Sequence, residues 1–255
     1  VELRERLEAH GHRFRTHSDT EVIVHAYEEW GEACFSRFNG QWAIALWDAR
    51  CQRLVLSRDR MGIRPLYLHV SQGQLSFASE VKALFTNPEI PRELDLRGLA
   101  QTFSYWGPVA PTTVFRGIEE LLPACVRVYE SDGSCRQHVF WSPSFPESAH
   151  AGAYPLSLPQ ATEALKEKLG RASRLRALRS DVPVGSYLSG GLDSSLTAWM
   201  GRQAKSGDFR TFSLRFKDAE FDETRYQRQM AERLDSHHEE VEVAHAAALM
   251  GRLHR

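Results

Sequence analysis

The chain has 255 residues, of which 42% are hydrophobic, so it can hold one large domain or two ordinary domains with proper cores. Its 32 basic and 33 acidic residues leave a net charge of −1, which favours neither nucleic acid nor an anionic membrane as the main partner. No stretch approaches the ~20 apolar residues of a membrane helix, and the charged first residues are unlike a signal peptide. We expect a cytoplasmic protein of two domains.

The four cysteines, Cys34, Cys51, Cys125 and Cys135, lie far apart in the sequence. They form no CxxC pair or His-rich cluster, so the sequence predicts neither a zinc site nor a disulfide framework. The chain begins inside a helical pattern and ends as abruptly. From this we expect a fragment of a longer protein.

The first elements are two helices. Leu3 and Leu7 share one face of a helix that Gly11 ends, and Ser18 and Glu21 have the spacing of a capping box ahead of a second helix. Four short β-rich runs follow, separated by turn residues: QWAIALWD, RLVLSRD, PLYLHV and QLSFAS. This spacing predicts a largely antiparallel sheet.

Two helical stretches, EVKALF and LRGLAQTFSYW, come next, and then a strand pair, CVRVYE and RQHVFW, with Asp132 and Gly133 at its turn. We expect the first unit to close near Trp141. Residues 142–159 hold four prolines and four serines without helical or strand period, which predicts a linker.

Beyond the linker the pattern changes to strands that alternate with helices. A helix with Leu165, Leu169, Ala172 and Leu175 on one face precedes the strands VPVGSYL, RTFSLRF and HEEVEV. Alternation of this kind predicts a parallel, doubly wound sheet. Ligands of such sheets bind at the carboxyl ends of the strands, where each loop meets the next helix.

The segment SGGLDSS, residues 189–195, occupies such a position after the first of these strands. Its glycines allow a ligand close to the backbone, and the following helix offers free N–H groups and a favourable dipole for an anion. A serine-capped turn without a ligand is the alternative. The segment is not a GxxxxGK[ST] loop, a GxGxxG fingerprint or a GxSxG elbow.

SGGLDSS matches, letter for letter, the pyrophosphate-binding loop of the ATP pyrophosphatase superfamily, and the lead RSDVPVGSYL resembles the asparagine synthetase family. The stretches GHRFRTHSDTEVIVHAY, RFNGQWAIALWD, RDRMGIRPLY and FASEVKAL resemble the glutaminase domain of the same enzymes. The resemblance implies an incomplete glutaminase domain at residues 1–141, of the N-terminal-nucleophile αββα type, and an incomplete ATP pyrophosphatase domain at residues 160–255.

The resemblance also implies roles for individual residues. Pyrophosphate of ATP would be held by the seven loop residues Ser189, Gly190, Gly191, Leu192, Asp193, Ser194 and Ser195. Asp193 would in addition bind Mg²⁺ and cap the helix, with capping alone as its alternative role. Tyr187 and Leu214 would contact adenine, although core packing is the alternative for Leu214.

Asp19, in the stretch SDTEV, would hold the amino group of glutamine. Its alternative role is that of a first-turn carboxylate stabilised by the helix dipole. Phe221, Asp222 and Glu223 resemble an FDE signature, although Asp222 could simply cap the next helix. The HHE at residues 237–239 lacks the HExxH spacing of a metal site and is expected to open a strand. The basic residues of the helix before the loop are expected to form a solvated face.

This sequence departs from the family at both ends. The family's amino-terminal nucleophilic cysteine, its substrate-binding arginine and its Asn-Gly-Glu stretch are not in the chain, so we assign no catalytic residue. Cys34, the first cysteine, is expected in the core. We expect truncation, more than evolutionary loss, to account for these differences and for the lack of the family's acceptor pocket and catalytic lysine.

The function implied by the resemblance is amidation of aspartate to asparagine with glutamine as nitrogen donor, through β-aspartyl-AMP, with release of AMP and pyrophosphate. Expected partners are these small molecules, ATP and Mg²⁺, without nucleic acid or membrane, and a homodimer is one expected assembly. Two alternatives stay open: amidation of another carboxylate, and a nucleotide-binding module without chemistry.

Overall fold

The structure is a computed structural model, and it describes residues 2–145, 156–180, 182–205, 207–217 and 222–243. The chain divides into two compact units, Val1–Phe145 and Pro146–Arg255. Most of the predicted linker, residues 146–155, lies outside the described residues. Among the described residues there is no helix with the length and apolarity that a membrane span requires.

The helices of the first unit are α1 (Glu2–Ala9), α2 (Asp19–Trp30), α3 (Val81–Leu84) and α4 (Leu96–Tyr105), and a 3-10 helix covers Gly31–Arg37. Ser18 caps α2, since its hydroxyl oxygen accepts from the backbone N–H of Thr20 at 3.2 Å. The predicted capping box is not formed. The carboxylate of Glu21 instead accepts from the backbone N–H groups of Arg15 and Thr16, both at 2.7 Å, because the preceding loop folds back over the helix start.

The strands of the first unit are β1 (Ala43–Asp48), β2 (Arg53–Arg58), β3 (Tyr67–Ser71), β4 (Gln74–Ala78), β5 (Ile118–Glu120), β6 (Cys125–Tyr129) and β7 (Cys135–Val139). They form two antiparallel sheets, with strand orders β1-β2-β6-β7 and β4-β3-β5. The predicted antiparallel arrangement is confirmed. The sequence did not predict β5, a three-residue strand too short to show alternation.

These elements stack in four layers. Side chains alternate along β2, so Val55 packs with Leu7 of α1 and Ala26 of α2 on one face of the four-stranded sheet. Leu56 packs on the other face against Leu68 of the three-stranded sheet. The outer face of that second sheet is covered by α3, through a third cluster that includes Leu84, Ile90 and Ile118. The layer order is therefore αββα, as the resemblance implies.

The second unit contains α5 (Leu158–Leu178), β8 (Ser186–Tyr187), α6 (Leu192–Ala204), β9 (Arg210–Phe216), α7 (Thr224–Leu234) and β10 (His237–Val243). Its strands form a parallel sheet in the order β8-β9-β10. The core between this sheet and its helices is a cluster of Leu188, Ala198, Phe209, Ala231 and Leu234. The predicted parallel sheet is confirmed, and His237 opens β10 as expected.

Two finer expectations for this unit are not confirmed. A doubly wound sheet has a reversal in strand order, and the strands of the described residues run in simple sequence order. The predicted apolar face of α5 is not a buried face, since no residue of α5 is buried and Leu165 is 58% exposed. Helical periodicity thus located α5 correctly without telling how deeply it packs.

Candidate functional site

Leu188, the residue before the loop that follows β8, is hydrogen-bonded to the neighbouring strand. Leu188 is buried, its backbone N–H donates to the carbonyl of Phe212 at 2.8 Å, and its own carbonyl accepts from the hydroxyl of Ser213. Both partners lie on the neighbouring strand β9. Residues 189–191 therefore leave the carboxyl end of β8 at a fixed point of the sheet, where parallel sheets place their ligands.

The two glycines of the loop serve different purposes. Gly190 has φ +90°, and a Cβ there would lie 3.2 Å from Cβ of Tyr226 and 3.3 Å from the carbonyl oxygen of Glu223. Only glycine combines this backbone conformation with such close packing against the start of α7. Gly191 has φ −74°, and an added Cβ would meet only the hydroxyl of Ser189, at 3.5 Å. The space at Gly191 is therefore left open by the protein itself.

Two serine hydroxyls are ordered within the loop. The Oγ atoms of Ser189 and Ser194 are 2.9 Å apart, and Ser194 Oγ also donates to the carbonyl of Gly191 at 3.1 Å. The backbone N–H of Ser189 donates to Ser194 Oγ at 3.2 Å. These contacts close the loop onto the first turn of α6, so both hydroxyls stay beside the helix start.

The amino terminus of α6 lacks a side-chain cap. Gly191 is the N-cap residue, and no side chain of the described residues caps the helix there. The N–H groups of Leu192, Asp193 and Ser194 occupy the first three helical positions, which have no carbonyl partner inside a helix. Free amides, two hydroxyls and the positive end of the helix dipole together suit an anion such as phosphate.

Asp193 is not the cap of α6, so this part of its expected role is wrong. It is exposed and lies at the second helical position, two residues after the N-cap. Capping belongs to the residue at the strand-to-helix boundary, and the short β8 places that boundary at Gly191. An exposed carboxylate oxygen is the kind of ligand that Mg²⁺ uses, so this residue fits the expected metal.

Tyr187 and Leu214 lie on one face of the sheet. Tyr187 pairs with Phe212, and Leu214 is two residues further along β9, so the three side chains point to the same side. Tyr187 is 85% exposed and Leu214 is 51% exposed. Core packing is therefore not the role of Leu214 in the described structure. An exposed apolar face next to the loop can accept a planar ring.

Two residues of the α7 region also help to build the site. Gln227 of α7 is buried, and its side-chain Nε2 donates to the carbonyls of Ser189 and Leu214. No sequence pattern singled out Gln227, because a glutamine in a polar helical pattern is expected to face solvent. Asp222 accepts from the backbone N–H and the hydroxyl of Thr224 at the start of α7. The N-cap of α7 is Glu223, without a side-chain cap hydrogen bond, so the capping alternative for Asp222 is not confirmed. Phe221 lies outside the described residues.

In the first unit, Asp19 is the first residue of α2 and is exposed. Cys34 is fully buried, as expected, and burial raises the pKa of its thiol to about 12. Burial also raises the pKa of the Cys125 thiol, to about 11. A thiol with such a pKa is not a nucleophile at neutral pH, so neither buried cysteine suits acyl transfer.

Comparison with known proteins identifies both parts of the chain. Residues 1–141 match the family model of the glutamine amidotransferase domain, and residues 164–253 match the family model described as asparagine synthase.

Three curated relatives are similar to most of the chain. Asparagine synthetase [glutamine-hydrolyzing] 3 of Bacillus subtilis (strain 168) is 36% identical over 195 residues, which are 76% of this chain and 30% of the relative. Asparagine synthetase [glutamine-hydrolyzing] 1 of the same organism is 32% identical over 230 residues, 88% of this chain and 34% of the relative. Amidase chry2 of Gibberella zeae is 35% identical over 188 residues, 74% of this chain and 27% of the relative.

The chain thus spans about a third of the length of the curated asparagine synthetases that it matches. The matched glutamine amidotransferase model alone covers more than half of the chain, and its αββα layers fit that match. The chain therefore belongs to the glutamine amidotransferase family, in the branch where this domain is followed by an asparagine synthase segment.

Proposed function

We propose that the full-length protein transfers nitrogen from glutamine to the β-carboxyl group of aspartate at the expense of ATP. The names of the two Bacillus relatives support the choice of reaction, since both are glutamine-hydrolysing asparagine synthetases. The observation that carries the proposal is the uncapped start of α6 beside the ordered hydroxyls of Ser189 and Ser194. This arrangement suits the pyrophosphate part of ATP.

In this proposal the loop binds the phosphates that leave. The amides of residues 192–194 and the two serine hydroxyls would hold the β- and γ-phosphates while the aspartate carboxylate attacks the α-phosphorus. The products of that step would be β-aspartyl-AMP and pyrophosphate, and ammonia from glutamine would then displace AMP. Backbone amides fixed before the reaction stabilise the charge that develops on the leaving pyrophosphate without reorganising. The two hydroxyls would turn from their contacts within the loop towards the phosphate.

Mg²⁺ held by Asp193 would neutralise part of the phosphate charge. Tyr187 and Leu214 would place the adenine ring on the exposed face of the sheet, next to the loop. Asp19 would hold the amino group of glutamine in the first unit. Each of these roles rests on the resemblance and on the exposure of the residue.

Labelled glutamine tests the proposal. Full-length protein is incubated with [amide-¹⁵N]glutamine, aspartate and MgATP, and the products are separated by mass spectrometry. The proposal predicts ¹⁵N-labelled asparagine that requires ATP. Label that appears only in free ammonia, or only on a different acid from a panel offered together with aspartate, would reject aspartate as the acceptor. ATP bound without any turnover would point to a nucleotide-binding module.

A further inference from the structure

A cluster of two histidines and a glutamate lies in the first unit. His12 belongs to the segment between α1 and α2, and His25 and Glu28 lie three residues apart on α2. Residues with this spacing on a helix share one face. One ligand atom from each of the three side chains lies within 4.8 Å of the others.

The distances inside this cluster are those of ligands around a common centre. Nδ1 of His12 is 3.2 Å from Nδ1 of His25 and 3.8 Å from Oε2 of Glu28, and His25 Nδ1 is 2.9 Å from the same oxygen. Tetrahedral Zn²⁺ with bonds of about 2.0–2.1 Å separates its ligand atoms by about 3.3 Å. The three observed distances bracket that value.

Hydrogen bonds account for these contacts only if one proton is shared between two acceptors. A carboxylate only accepts hydrogen bonds, so His25 Nδ1 must carry the proton that it shares with Glu28. That nitrogen then has no lone pair for a proton on His12 Nδ1, although the two nitrogens are at hydrogen-bond distance. One proton would have to serve both neighbours. A cation between the three atoms uses all three lone pairs at once.

The outer ring nitrogens support the same interpretation. Nε2 of His12 is 3.1 Å from Oε2 of Glu29, and Nε2 of His25 is 3.7 Å from Oε1 of Glu21. The far nitrogen of His12 is at hydrogen-bond distance from a carboxylate, and that of His25 is only within ion-pair distance of one, while both near nitrogens lie in the cluster. This carboxylate–histidine arrangement is the usual support behind metal-binding histidines, because it fixes the tautomer and orients the ring.

We propose that His12, His25 and Glu28 bind a divalent transition-metal ion of the zinc type, with water completing the coordination. Nitrogen ligands favour such an ion over Mg²⁺, which prefers oxygen ligands in an octahedron. The histidine side chains are mostly buried, with 16% and 18% of their area exposed, and Glu28 is open to solvent at 47%. The ion fastens the segment before α2, which includes the cap Ser18, to the body of that helix.

Metal titration of the 255-residue chain tests this proposal. The chain is stripped with chelator and titrated at neutral pH with Zn²⁺ by calorimetry, and with Co²⁺ by visible absorption. We expect one ion per chain with a dissociation constant on the order of micromolar or lower, a tetrahedral Co²⁺ spectrum, and a Zn²⁺-dependent rise in melting temperature.

Matched variants locate the ion. His12→Gln and His25→Gln should each weaken Zn²⁺ binding by at least about tenfold. His17→Gln is the control, because His17 is an exposed histidine of the same segment outside the cluster, and it should bind Zn²⁺ like the wild type. Circular dichroism checks the fold of each variant. Should a histidine variant misfold, Glu28→Gln, a change at an exposed position, is expected to weaken binding and alter the Co²⁺ spectrum.

The proposal is overturned if the wild-type chain takes up no stoichiometric Zn²⁺, which would leave a hydrogen-bonded cluster only. It is equally overturned if folded histidine variants bind Zn²⁺ as the wild type does. A loss of binding in the His17 variant equal to that in the His12 variant would place the ion elsewhere on the segment.

Discussion

The side-chain amide of Gln227 donates a hydrogen bond to the carbonyl oxygen of Ser189, with 3.3 Å between Nε2 and the oxygen. The same Nε2 lies 3.2 Å from the carbonyl oxygen of Leu214. One buried side chain of α7 thereby ties the first residue of the loop to the neighbouring strand β9. Residues far apart in the sequence hold the loop in place.

Replacing Gln227 with leucine should loosen this connection. Two carbonyls lose a donor, while the variant also loses the Oε1 atom of Gln227, which is buried without a partner among the described residues. Because these effects partly offset each other, we expect a loss of about 1 kcal/mol in unfolding free energy together with weaker pyrophosphate binding. Urea unfolding and calorimetry measure the two quantities. Gln229→Leu, at an exposed position of the same helix, is the control and should change neither.

Valine substitutions at the two loop glycines should separate binding from folding. Gly191 has an ordinary φ and open space, so Gly191→Val should cost less stability than Gly190→Val, limited to the poorer N-cap, but block close approach of phosphate. Gly190 has φ +90° and packs against α7, so Gly190→Val should cost at least about 1 kcal/mol of stability. Thermal melts and pyrophosphate titrations check this. Normal pyrophosphate binding by Gly191→Val would remove the loop from the binding site.

Asp193→Asn tests the assignment of magnesium. Gly191, not Asp193, is the N-cap of α6, so the melting temperature of the variant should equal that of the wild type. Its affinity for ATP should fall in the presence of Mg²⁺, because the exposed carboxylate is the proposed ligand, and should match or exceed that of the wild type in chelator. Titrations of ATP with and without Mg²⁺ measure the ratio. An unchanged Mg²⁺ effect would show that this carboxylate does not bind the metal.

A buried carboxylate in the first unit, Asp59, should make the unfolding free energy fall at acidic pH. Burial of Asp59 would raise its pKa, but backbone N–H groups of Arg64, Ile63, Trp42 and Met61 donate to it at 3.0–3.2 Å and hold the pKa below its usual range. A lowered folded-state pKa contributes stability above the unfolded value of about 3.9, and this stability is lost as the pH falls through the folded value.

Asp59→Asn should therefore weaken the protein at neutral pH, by about 2 kcal/mol, and flatten the acid dependence of its stability. Urea unfolding midpoints measured from neutral pH downwards give both numbers. Parallel curves for the two proteins below about pH 5 would show that Asp59 is not the group responsible.

The sequence predicted features that depend on neighbouring residues. Helix α2, the antiparallel strands and the parallel order of β8, β9 and β10 followed from periodicity and turn residues. The position of the loop at the carboxyl end of β8 followed from alternation of strands and helices. Local pattern also placed Cys34 in the core correctly.

Features that depend on distant contacts were out of reach. The support of the loop by Gln227 requires α7 to pack beside it, and the meeting of His12 with His25 requires the segment before α2 to fold back onto the helix. The cap of α6 was misplaced because Gly191 and Asp193 both suit the start of a helix, and only the backbone shows where the helix begins.

The central claim is that the full-length protein makes asparagine while residues 189–195 hold the pyrophosphate of ATP. The most direct measurement is the ratio of pyrophosphate to asparagine formed from glutamine, aspartate and MgATP, in the wild type and in Gly191→Val. We predict one pyrophosphate per asparagine, no pyrophosphate without aspartate, and loss of both products in the variant. Formation of ADP and inorganic phosphate, or full asparagine synthesis by Gly191→Val, would contradict the claim.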